Sequence, residues 1–216
     1  MNQALLLLVL LLPQQSDGSR LTGHVPAAAL PGVQAILTRA AQDSLPTEPL
    51  VEKALEGGAK GAPPDMIVTA VGAEEARLRS ARDLLRGAGA PGPYATSEIQ
   101  SVSLALARGL PDRIVSEVVG AVRDTAPGFA LHAVADLSAH GFGQDSSASL
   151  IVAALKTGLT GHRLLDVAAA ADREVQRGST RMQALAKVRA ILPAIPSQPV
   201  PRGAMQGATR PKKGGG

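Results

Sequence analysis

Alanine and leucine together occupy 66 of the 216 positions, whereas only Tyr94, Phe129 and Phe142 are aromatic. Both abundant residues favour helices, and neither favours a pleated strand. An interior made from them must rely on many small contacts, because each alanine removes little area from water. The same shortage of rings excludes an aromatic platform for stacked bases. Cysteine is absent, which removes disulfides, thiolate metal sites and a thiol nucleophile.

The periodicity from residue 32 to 192 agrees with the composition. No stretch alternates β-branched residues with a period of two, so no strand is expected. Helix starts and stops recur instead. Thr47 can cap a helix running to about Lys60, with Gly61 beyond its end. Pro64 and Asp65 open a longer one with a stripe of Ile67, Val71, Leu78, Ala81 and Leu85, ending near Gly87. Thr96 or Ser97 can cap a helix that ends at Gly109, and Pro111 and Asp112 start the next. Phe129, Leu131, Val134 and Ala135 mark a helix ending at Gly141. Asp145 can cap one that runs through Lys156. Leu164, Ala168, Ala171 and Val175 give another stripe, and Thr180 caps a last helix carrying Met182, Leu185, Val188 and Leu192. The expected fold is all-α: eight to nine short amphipathic helices in an irregular bundle or a short solenoid-like array.

Residues 64–71 and 111–118 are similar, and Thr47-Glu48-Pro49-Leu50-Val51 resembles the same start. The offsets would suit stacked helical hairpins. Any good helix start, with an early proline and an acid in the first turn, would also look like this.

The ends differ from the middle. Ala4 to Leu12 is apolar throughout and too short to cross a bilayer, which takes about 20 residues. It has the length of a secretory leader core, so 1–18 is expected to be a signal peptide and 19–31 a linker. Residues 32–192 form the helical domain. Residues 193–216 are rich in proline and glycine and are expected to be a disordered basic tail. The 22 basic residues include Arg202, Arg210, Lys212 and Lys213, and no acid follows Leu192. The formal charge of +4 therefore lies on the tail, and the remainder is neutral. A nucleic-acid-binding fold would carry such an excess on the fold itself.

Residues 45–57, with Lys60-Gly61-Ala62-Pro63-Pro64-Asp65 after them, resemble a segment of Ala-rich, exported bacterial helical proteins of uncharacterised function. The resemblance covers about residues 40 to 85. It implies a periplasmic or secreted helical protein, and it supplies no activity and no catalytic residues.

Candidate chemistry is sparse. His132, Asp136 and His140 stand at i, i+4 and i+8, so each adjacent pair shares a helix face and two imidazoles and a carboxylate could approach a divalent metal. The 100° step per residue turns His132 and His140 about 80° apart, which works against convergence on one ion. His162 and Asp166 with Ser146 or Ser147 suggest a triad, but no Gly-x-Ser-x-Gly turn is present. Gly141-Phe142-Gly143 and Gly57-Gly58-Ala59-Lys60-Gly61 lack the spacing of nucleotide loops. Glu74 and Glu75 interrupt an apolar stripe, and a solvated or bent segment explains them at least as well as an acid–base pair. The leading expectation is a non-enzymatic structural or protein-interaction module, whose partner is another envelope or secreted protein. No specific nucleic acid, cofactor or transmembrane segment is expected. The alternatives are a metal-assisted or other hydrolase built on His132, Asp136 and His140, and anionic-polymer binding through the tail.

Overall fold

Several helices of this chain stop in the same way, and those stops set the architecture. The computed structural model describes residues 17–90, 92–122 and 125–195. After α5 (Thr96–Ala107), Gly109 takes φ +84°, Gly109 N donates to Leu106 O and Leu110 N donates to Ala105 O. That left-handed residue satisfies the last carbonyls and drives the next apolar residue, Leu110, into the core. The pattern recurs after α7 (Gly128–Ala139), where Gly141 precedes the buried Phe142, and after α8 (Gln144–Lys156), where Gly158 precedes the buried Leu159. Most of these glycines stand where the sequence placed a helix stop. The exception is the end of α4 (Pro64–Gly87), where Gly89 rather than Gly87 takes the left-handed conformation.

The end of α2 (Leu30–Gln42) uses Ser44 in place of glycine, with φ 55°. An L-residue there carries a steric cost of about 1–2 kcal/mol. Ser44 is exposed and its replacement loses no packing. Ser44→Gly should stabilise the fold by about 0.5–1 kcal/mol, after the larger unfolded-state entropy of glycine is deducted. The melting temperature then rises by about 1–4 °C.

Among the described residues there are ten helices and no strand. The remaining ones are α1 (Asp17–Leu21), α3 (Glu48–Ala59), α6 (Asp112–Ala121), α9 (Arg163–Gln176) and α10 (Arg181–Ile191), and a 3-10 turn over Leu192–Ala194 follows. The all-α expectation holds, with one helix more than the eight to nine read from the periodicity. The addition is α1, in the stretch read as leader and linker. The described part of that stretch, 17–31, is packed: Leu21, Val25 and Ala29 are buried, and α1 lies against α3. Gly58 of α3 allows this approach, since a Cβ there would sit 2.0 Å from the His24 carbonyl oxygen. At the other end, Leu192 is buried and Ile195 packs on the core, so the helical domain extends past 192. The expected leader, apart from 17–18, and the expected tail from 196 onward lie outside the described residues. No described helix is long and apolar enough to cross a membrane.

Consecutive helices alternate between two rows. α5, α7 and α9 are successive neighbours in one, and α4, α6, α8 and α10 in the other. α2 and α3 pack on α4. The similar segments at Pro64 and Pro111 open neighbouring helices of the same row, while the Thr47 segment opens α3. The buried residues are almost all alanine, valine, leucine and isoleucine, and they join into one core.

Four local expectations are corrected. Ala95, not Thr96 or Ser97, precedes α5, and the Glu98 carboxylate reaches back to accept from Ala95 N at 2.8 Å. Gly143 precedes α8, and Asp145 sits in its first turn, paired with Arg113 of α6 at 2.6 Å. On α10 the inward stripe is Ala184, Val188 and Leu192 at a four-residue spacing, which leaves Met182 82% exposed. Glu75 is not solvated. It completes the spacing between Val71 and Leu78 on the buried face of α4, where Arg39 of α2 and Arg79 hold its carboxylate. Glu74 accepts from Ser103 of α5 at 3.2 Å.

Candidate functional site

The polar faces of α5 and α7 each carry one large apolar residue. On α7, Phe129, His132, Asp136 and His140 follow one another at spacings of three and four, so Phe129 shares a face with the polar residues. It is 48% exposed. On α5, Leu104 lies between Ser101 and Arg108 on the same kind of face and is 55% exposed. The row arrangement brings the two faces together, and between them lies an open groove of about 420 Å³.

Small residues form its floor. Gly128 allows α7 to approach α5 so closely that a Cβ at 128 would lie 2.8 Å from Ser101 Oγ. Ala105 and Ala135 continue the floor, and Leu104, Phe129, Leu131 and Leu165 of α9 form the walls. Arg108 and His132 close one end.

That end is electrically satisfied. Arg108 caps α5, where a cation is favoured by the helix dipole. Its Nη2 donates to Asp136 Oδ1 at 2.5 Å, and its Nη1 lies 3.2 Å from His132 Nδ1. His132 Nε2 lies 3.2 Å from Asp136 Oδ2. The three groups therefore form a closed set with a guanidinium directly on the carboxylate. His140 is not part of it. As the cap of α7 it turns to α9, with Nδ1 2.7 Å from Asp172 Oδ2, while its carbonyl accepts from Arg181 Nε at 2.9 Å.

His132, Asp136 and His140 thus do not converge. Each side chain contacts a neighbouring helix instead, and no group of three His, Asp or Glu side chains among the described residues is placed to hold a metal. The sketched triad is also dispersed. His162 precedes α9 and Asp166 lies in its first turn. Ser147 is buried and donates to Gly143 O at 2.7 Å, and Ser146 is exposed on α8. No hydrogen bond among the described residues joins His162 or Asp166 to either serine.

Comparison with protein-family models finds no match, and comparisons with curated proteins and with solved structures find none either. The site is therefore defined by the chain's own geometry. The sequence reading used Phe129 only to mark a helix and did not single out its exposure. The signal was its spacing of three from His132, which puts it on the polar face. Leu104, four residues before Arg108, carries the same signal on α5.

Proposed function

We propose that this chain is a non-enzymatic protein-interaction module that receives apolar side chains of a protein partner in the groove between α5 and α7. One observation supports this most directly: Leu104 and Phe129, two large apolar side chains on otherwise polar faces, flank an apolar groove. Scattered exposed apolar residues need no explanation, but a contiguous pair beside a concave apolar surface marks an interaction site. Among the described residues, Arg108 is the one cation that lines the groove, and Asp136 beside it balances its charge, so the groove does not favour a polymer of one sign. A location in the envelope or outside the cell belongs to the same proposal and rests on the Ala4–Leu12 run.

A random peptide library selected on the immobilised full chain tests this reading. Enriched peptides should carry two large apolar residues three or four positions apart, the spacing of one helix face. Phe129→Asp should abolish the enrichment. Equal enrichment on wild type and Phe129→Asp would remove the groove as the recognition site.

A further inference from the structure

The face that carries the groove also carries a side chain suited to fill one. Phe129 projects half into solvent at the edge of an apolar groove of about 420 Å³, and an aromatic side chain buries about 150–250 Å² when seated. Knob and hole therefore lie side by side on one surface. A two-fold axis requires this arrangement, because each residue that inserts must find its receptor on the same patch of the other molecule.

The charges have the same self-complementary form. Among the described residues, the polar end of the groove holds one cation, Arg108, and one anion, Asp136. A two-fold axis can set each against the other in the facing copy. A partner with one sign of charge would meet a like charge on this rim. The neutrality of the chain apart from 193–216 removes the overall repulsion that would oppose pairing of identical folds.

Resting on the interaction reading above, we infer that the occupant of the groove is a second copy of this chain: two molecules meet across α5 and α7, each seating Phe129 in the groove of the other. With Leu104 and Phe129 as its exposed apolar anchors, the interface is of the small, reversible kind.

Sedimentation of the full chain from about 1 µM to about 1 mM, the range of weak complexes, tests this directly. The mass should rise from 22.0 kDa toward twice that value. Phe129→Asp should weaken the dimer at least about tenfold, since it places a charge where an anchor was. Ala126→Leu narrows the groove from its exposed rim without altering Phe129, and it should give a similar loss. Met182→Asp, on an exposed position of the other row, should change nothing. Circular dichroism of each variant confirms that the fold persists. A chain that stays monomeric throughout overturns the inference. So does a dimer indifferent to both groove variants, or one that Met182→Asp also breaks. A monomer that still selects apolar peptides through Phe129 sinks the dimer and leaves the interaction reading standing, whereas failure to select them sinks both.

Discussion

Leu137→Ala should lower the unfolding free energy by about 2–5 kcal/mol, the range for truncating a buried leucine in a tightly packed interior. Leu137 is fully buried on α7, the helix that touches α5, α6, α8 and α9. A cavity there lies at the junction of both rows. At about 2–4 °C per kcal/mol for a chain of this length, the melting temperature should fall by roughly 10 °C. Leu104→Ala provides the contrast. Leu104 is mostly in water, so its loss should change stability by no more than about 0.5 kcal/mol while it weakens recognition at the groove. Thermal melts of the two variants separate a leucine that holds the fold from one that serves the surface.

The second large effect falls on Glu75. Its side chain is 6% exposed, and Arg39 Nε donates to Oε1 at 2.8 Å while Arg39 Nη2 donates to Oε2 at 2.5 Å. Arg79 adds a further bond at 2.8 Å and also binds Asp43. Arg39→Ala leaves a buried carboxylate with one of its two cations. Breaking a buried pair in this way costs about 3–5 kcal/mol at full burial. Arg39 itself is half exposed, so solvent screening keeps the loss below that full-burial range. The pair also sets a pH dependence. Hydrogen bonding from Arg39 holds the Glu75 carboxyl below the usual carboxylate range, and this outweighs the opposing effect of burial. A carboxyl with a depressed folded value adds stability above its unfolded value of about 4.3, and that stability is lost as pH falls through the folded value. The stability gap between wild type and Glu75→Gln should therefore be widest at neutral pH and shrink below about pH 4. Urea melts at several pH values check this. A constant gap down to acid pH would mean that Glu75 acts by packing and not by charge.

Much of this architecture was legible in the residues because it depends on local chemistry. Gly109, Gly141, Gly158 and Gly178 end helices through their own backbone freedom, and the Pro64 start needs no distant partner. The α4 stripe of Ile67, Val71, Leu78, Ala81 and Leu85 is buried as read. Glu75 was misread because a carboxylate on an apolar stripe is explained only by a cation from elsewhere, and Arg39 lies 36 positions away. The stripe's own spacing required an inward residue there. The same limit applies to the site. The triple of His132, Asp136 and His140 looked chemical when viewed on one helix, but Arg108 and Asp172 from the neighbouring helices claim its members. The groove depends on which helices become neighbours in the row. α5 and α7 are separated by α6, and periodicity within one helix carries no record of that pairing.

The contact that floors the groove can be trapped chemically. Ser101 Cβ lies 3.5 Å from the position a Cβ would take at Gly128, within the span of about 3.5–4.5 Å that a disulfide bridges. The native chain contains no cysteine, so a Ser101→Cys/Gly128→Cys variant has one possible intramolecular bond. Under mild oxidation the folded variant should close that bond in nearly every molecule, with no free thiol left to label. Two thiols that stay open and fully reactive in a helical, cooperatively folded protein would contradict the packing of α5 on α7, and the groove with it.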